Sequence, residues 1–248
     1  MKLIQRHGYI EFLRRNRERS IIKVVSGIRR CGKSTLFRLF KDELLAEGVK
    51  PEQIISINFE ELEYEPLREY HALYQYILNQ MQPNQMNYIF LDEIQHVDQF
   101  HRVVDSLFVK ENTDIYITGS NAYFMSSDIA TLLTGRYVEI QMLPLSFAEF
   151  YYSKYEEQQY SLIPAYEAYL RESSFPYTQQ LGGEDFDIQE YLRGLYNTLL
   201  LHDVVARLKI NDVTMLQDIV RYIMANVGSL LSPNKIAKSL VSAGRKID

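Results

Sequence analysis

The stretch "VVSGIRRCGKSTLF", from Val24 to Phe37, holds the residues with the most specific chemistry in the chain. Gly27, Gly32, Lys33 and Ser34 satisfy the pattern G-x-x-x-x-G-K-[ST] of a phosphate-binding loop. Such a loop grips an anion through backbone N–H groups and the N-terminus of the helix that follows it. Gly27, Ile28, Arg29, Arg30, Cys31, Gly32, Lys33, Ser34 and Thr35 are therefore all expected at a bound nucleotide. Lys33 would reach the β and γ phosphates of ATP, and the Ser34 hydroxyl would coordinate Mg²⁺. The four bulky residues between the glycines need only point away, because only the two glycine positions have to be backbone alone. Arg29 and Arg30 are expected to face solvent, an acidic neighbour or a partner. Cys31 is expected as a small filler, with a thiol that the loop N–H groups and Lys33 could acidify.

A second constellation is Asp92-Glu93, at the end of the apolar run "YIFL". An aspartate at the tip of a buried strand can hold Mg²⁺ directly or through water, and the adjacent glutamate can orient and deprotonate a water for attack on the γ phosphate. A third is the polar end of "DIYITGSNA", where Thr118, Ser120 or Asn121 could hydrogen-bond that water or the phosphate. A strand candidate at 54–60 falls between the loop and the acidic pair, and an intervening strand marks the P-loop proteins that carry a catalytic glutamate. No N-K-x-D stretch is present to read guanine, so the pattern favours ATP hydrolysis.

These groups need a scaffold, and the hydrophobic spacing supplies one. "SIIKVVSG" reads as a strand and "KSTLFRLFKDELLAEG" as a helix closed by Gly48; a helix follows over about 67–81. "NYIFLDEIQ" suits a central parallel strand buried on both faces. Helix about 100–109, strand "DIYITGS", helix near 121–133, strand "RYVEIQM" and the capping box Ser146/Glu149 complete the series. Alternating strands and helices predict an α/β fold, a P-loop NTPase with a five-stranded parallel sheet. Beyond Tyr155 only helices are expected. The boundaries read as a basic helix over 1–19, the core over 20–154, a helical lid subdomain over 155–228, and the start of a helix-turn-helix or winged-helix element over 229–248.

The chain has 248 residues and a single cysteine, which excludes an intramolecular disulfide framework and any multi-thiolate zinc site. No apolar run approaches the ~20 residues of a spanning helix, and no signal segment opens the chain, so the reading is cytoplasmic with no membrane partner. The net charge of -5 hides nine Lys/Arg in the first thirty residues. "FLRRNRERS" could face DNA, although a solvated helix face is the more frequent reason for such a run.

"SGIRRCGKSTL", "YIFLDEIQHV", "IYITGSNA", "LLTGRYVEIQMLPLSFAEF" and "NVGSLLSPNKIAKSL" occur in an order that resembles a group of prokaryotic AAA-type ATPases. In that group an N-terminal ATPase is followed by a winged helix and a restriction-endonuclease-like domain. The resemblance implies Gly27 to Thr35 as the phosphate loop, Asp92 and Glu93 as the acidic pair, and Ser120 or Asn121 as a polar sensor. It also implies Arg136 of "TGRY" as an arginine finger or γ-phosphate sensor, with a structural salt bridge as the alternative. Ser173 and Ser174, where the group commonly has two glycines, and His202, where it commonly has arginine, depart from the pattern. The chain stops at Asp248, where a second helix of the helix-turn-helix would begin, which implies truncation before the recognition helix and nuclease-like part. The expected function is Mg²⁺-dependent ATP binding and hydrolysis coupled to movement of an attached module. The alternative is a nucleotide-gated switch or DNA-binding regulator with little turnover. A DNA or protein partner would bind the basic segment or the helix-turn-helix, and a homo-oligomer fits a finger supplied by a neighbour.

Overall fold

Strands β1 (Ile22–Gly27), β2 (Ile54–Asn58), β3 (Asn87–Asp92), β4 (Thr113–Ser120) and β5 (Tyr137–Met142) pair in parallel in the order β2-β3-β4-β1-β5. The computed structural model describes residues 4–120, 133, 135–155, 160–181, 185–199, 204–205, 209–242 and 244. Burial follows position in the sheet. β1 and β3 are buried at every residue, whereas the edge strands β2 and β5 alternate, because an edge strand has one wetted side.

The order corrects one step of the sequence reading. The strand at 54–60 is not the one that intervenes between the loop strand and the acidic strand. It shortens to β2 and lies at the outer edge beyond β3, and β4 takes the intervening place. Chain order cannot reveal this, since parallel strands are joined by crossovers that may skip a neighbour.

Helices α1 (His7–Asn16) and α2 (Lys33–Ala46) cover one face of the sheet, where Leu13, Phe37, Phe40, Phe90 and Tyr116 bury. Phe90 and Tyr116 stack at 4.6 Å between ring centroids. Helices α3 (Tyr70–Gln80) and α4 (Phe100–Phe108) belong to the opposite cluster, with Leu73, Ile77, Val103 and Leu107 against Ile57, Ile89, Leu91 and Ile117. The predicted helix 67–81 starts later than its periodicity suggests. Residues 62–68 form a 3₁₀ turn, and the Glu69 carboxylate then caps α3 by accepting from the N–H groups of His71 and Ala72 at 3.0 and 2.8 Å. The helix expected near 121–133 falls almost wholly outside the described residues.

After β5 the chain forms α5 (Phe147–Tyr155) and α6 (Leu162–Glu172), which bury Phe150 and Ala168 against Leu145. The capping box is present: Ser146 N donates to Glu149 Oε2 at 2.8 Å, and Glu149 N to Ser146 Oγ at 3.3 Å. α7 (Asp185–Thr198), α8 (Val213–Ala225) and α9 (Pro233–Ser242) follow. The chain divides into two compact units, Met1–Ile188 and Gln189–Asp248, and this boundary falls inside the stretch 155–228 that the sequence assigns to one lid. In the second unit, Ser239 Oγ on α9 donates to the Tyr222 hydroxyl on α8 at 3.0 Å.

The basic N-terminal segment spends much of its charge internally. Arg14 forms a fork to Glu43 of α2, with both bonds at 2.9 Å, and Arg17 pairs with Glu47 and donates to the Tyr88 hydroxyl at 3.1 Å. At the lower, N-terminal end of the sheet the Lys23 ammonium pairs with Asp114, both fully buried. Asp114 also accepts from the Tyr116 hydroxyl at 2.6 Å and the Glu18 N–H at 2.8 Å. Removing one partner of such a pair leaves an unpaired charge in the core, at a cost of about 3–5 kcal/mol. Asp114→Ala is therefore expected to lower unfolding stability in urea by about that much, and Lys23→Met added to it should recover a large part. Strictly additive losses in the double variant would mean that the two groups are not coupled.

Candidate functional site

The upper ends of β1, β3 and β4 carry the site. β1 runs directly into the loop, which turns into α2 at Gly32 (φ 106°). A Cβ on Gly27 would lie 2.5 Å from the Met142 carbonyl oxygen and 2.9 Å from Cys31 Sγ, so this glycine is required by space. Gly32 is required by its left-handed backbone instead. Arg30 is also left-handed, at φ 67°. The rule that only the glycines are special is thus incomplete, since Arg30 carries a strained backbone without being one. Arg29 reaches Glu60 at 3.7 Å, the acidic neighbour expected for it. Cys31 is fully buried in the α1/α2 core as a filler. Burial pushes its thiol pKa up, against the lowering influence of Lys33 and Arg6, so the expected acidification does not occur.

Lys33, the first residue of α2, is buried with its ammonium turned back over the loop. It donates to the Gly27 and Ile28 carbonyls at 3.1 and 3.5 Å and lies 3.2 Å from Glu93 Oε1. Glu93, just past β3, is left-handed at φ 55°, and its N–H donates to Thr118 Oγ1 at 2.9 Å. The other Glu93 carboxylate oxygen accepts from Gln95 Nε2. The Asp92 carboxylate is hydrogen-bonded to the hydroxyls of Thr118 and Ser34. Burial raises the Asp92 pKa, and the Ser34 and Thr118 bonds oppose that shift by stabilising the ionised form.

Lys33, Ser34, Asp92 and Glu93 therefore converge. Ser120 is buried at the end of β4, paired in register with Gly27, which places it beside the root of the loop. Asn121 lies outside the described residues. Thr118, one of the two polar candidates that β4 carries, has a specific place: its hydroxyl joins Asp92 to the backbone of Glu93 and so fixes the two acids relative to each other. Ser34 and Asp92 present hard oxygen donors in hydrogen-bond contact. That donor set fits Mg²⁺, which takes one or two protein oxygens and fills its remaining positions with waters and phosphates.

Arg136 is not brought to this cluster. Its carbonyl accepts from Ile22 N at 2.8 Å, at the lower end of β1. Gly27 lies five residues further up the strand, about 17 Å at ~3.3 Å per residue. The Arg136 guanidinium is 3.8 Å from Asp105, lies over the Phe108 ring, and is 47% exposed. A γ phosphate in its own loop is out of its reach.

Sequence reasoning missed Arg6. Its guanidinium is 4% exposed and bonds Glu149 at 2.6 Å through Nε, the Cys31 carbonyl at 3.2 Å, and the Leu143 and Pro144 carbonyls at 2.8 and 3.4 Å. In sequence it is one basic residue in a basic stretch, with nothing to distinguish it from Arg14 or Arg15.

A family model described as an AAA domain matches residues 19–151. An uncharacterized protein of Haemophilus influenzae is 37% identical over 243 residues, which cover 97% of this chain and 60% of that one. An uncharacterized protein of Methanocaldococcus jannaschii is 32% identical, covering 91% of this chain and 51% of its own length. The chain thus spans between half and two thirds of these relatives. Among solved structures, a Walker-type ATPase of Pyrococcus abyssi superposes with a TM-score of 0.61 at 18% identity, over 99% of this chain and 85% of that one.

Thr118→Val keeps shape but removes one of the two hydroxyls that stabilise ionised Asp92. A cation needs that carboxylate ionised, and losing the bond moves the Asp92 pKa higher still, so protons compete at higher pH. Mg²⁺-dependent nucleotide binding, followed by calorimetry from pH 8 downward, is expected to fail at a higher pH in the variant than in the parent. Superimposable pH profiles would separate Thr118 from Asp92.

Proposed function

We propose that this chain, which belongs to the AAA-domain family, is an ATPase that binds ATP with Mg²⁺ and couples hydrolysis to movement of an attached module. The observation that supports this most directly is the placing of Lys33 between the loop carbonyls and Glu93. Mg²⁺, held by Ser34 and Asp92, would supply charge neutralisation at the β and γ phosphates. The chain's own groups do the rest. Loop N–H groups and the N-terminus of α2 receive the phosphate oxygens. Lys33 exchanges its carbonyl and carboxylate partners for phosphate oxygens, which frees the Glu93 carboxylate to accept a proton from an attacking water. Thr118 keeps Glu93 aligned meanwhile by holding its N–H. No helix among the described residues is long and apolar enough to cross a membrane.

Lys33→Ala should abolish ATP binding by calorimetry, because the ammonium is the main fixed charge facing the phosphates. Unchanged affinity would remove the loop assignment. Glu93→Gln should retain binding and lose hydrolysis by roughly 10² to 10⁴. Parent-like phosphate release by that variant would reduce Glu93 to a strand terminus.

If Arg136 serves a γ phosphate, its place at the lower end of β1 makes that phosphate one bound by a neighbouring copy. A finger of this kind is worth about 10³ to 10⁵ in rate. Specific activity should then rise with protein concentration, and mixing Arg136→Ala with Lys33→Ala chains should restore part of it. Full activity of folded Arg136→Ala would leave Arg136 a structural role at Asp105 and Phe108.

A further inference from the structure

We propose that Arg6 is a positioning residue of the phosphate loop: through the Cys31 carbonyl it turns the Gly32 N–H toward the bound phosphates. The inference rests on the ATP-binding reading above and deepens it. Arg6 precedes α1 in the chain, 21 residues before the loop begins, yet its guanidinium bonds the loop at the Cys31 carbonyl, whereas Lys33 bonds it at the Gly27 and Ile28 carbonyls. All three of its nitrogens are engaged. Nε is held by Glu149, one terminal nitrogen donates to the Cys31 carbonyl, and the other donates to the Leu143 and Pro144 carbonyls. The Tyr9 ring covers the guanidinium at 4.6 Å, and the Tyr9 hydroxyl accepts from Leu143 N at 3.1 Å. Glu149 is itself fixed by the capping box, its second oxygen accepting from Ser146 N and Oγ at 2.8 and 2.9 Å.

The consequence follows from the geometry of one peptide unit. A trans peptide is planar, with its C=O and N–H pointing in opposite directions. A bond that holds the Cys31 oxygen outward therefore aims the Gly32 N–H inward, toward the position of the anion. Gly32 has the freest backbone of the loop, with φ 106° and no nearer neighbour to a built Cβ than Met142 Cε at 3.5 Å. It is thus the peptide that most needs an external restraint. A cationic donor on the carbonyl also polarises the unit and makes its N–H the stronger donor. Arg6 acts before any proton moves, so its effect belongs to affinity. Chemistry at Glu93, just past β3, does not pass through it.

The test compares Arg6→Met, Arg6→Lys and Glu149→Gln with the parent. Each is checked for folding by circular dichroism and then measured for the Kd of ATP and ADP by calorimetry and for kcat at saturating ATP. Arg6→Met is expected to weaken both nucleotides by about tenfold, the size of one charge-assisted hydrogen bond, with kcat within about twofold. Arg6→Lys should recover part of the affinity, since one ammonium cannot serve Glu149 and Cys31 together. Glu149→Gln, which leaves the Cys31 bond in place, should lose less than Arg6→Met. A folded Arg6→Met, or a folded Arg6→Lys if the methionine variant does not fold, that binds ADP and ATP like the parent overturns the proposal. A parent that binds neither nucleotide overturns instead the ATP-binding reading on which it stands.

Discussion

Everything at the site depends on β1 being held on both edges. Both β5, from Ile22 opposite Tyr137 to Gly27 opposite Met142, and β4, from Lys23 opposite Tyr116 to Gly27 opposite Ser120, pair with it in parallel. Parallel pairing puts the C-terminal ends of all strands on one side, so the reversals that follow β1, β3 and β4 gather there without further instruction. The same pairing presses Gly27 against the Met142 carbonyl and forbids any side chain at that position. The loop therefore starts from a rigid point at Gly27.

Two buried lysines, ten residues apart, show how differently one chemical pair can be used. At the lower end, Lys23 pairs with Oδ1 of an aspartate whose Oδ2 is taken up by a tyrosine hydroxyl and a backbone N–H, a closed arrangement with no role for an outside ligand. At the upper end, Lys33 rests on two carbonyls and a glutamate, partners that a phosphate oxygen can replace. Desolvation makes an unpaired charge costly at either place. The difference between fixing the fold and receiving an anion lies in whether the partner's valences are filled.

The parts legible in the sequence were those encoded within a short window. The phosphate loop, the acid pair after the apolar run 88–91, and the Ser146/Glu149 box each need only neighbours within about nine residues. The five-strand parallel sheet followed from alternation. What escaped depends on which distant segments meet. That β4, and not the strand at 54–60, separates β1 from β3 is a matter of crossover order. Thr118 differs from Ser120 by lying level with Asp92 in the register, and Arg136 was drawn toward the site by the family resemblance although its strand begins at the opposite end. Arg6 and Arg15 look alike until Glu149, 143 residues from Arg6, packs beside one of them.

Cys31 gives the loop an internal clock. It is the chain's one thiol, it is sealed in the core directly against Gly27, and its pKa is raised, so two conditions for nucleophilic attack, exposure and ionisation, are denied together. An alkylating reagent can react only during moments when the loop peels from β5 and α1. Where alkylation outpaces reclosing, its labelling rate reads the frequency of those openings, and any ligand that clamps the loop slows the reaction.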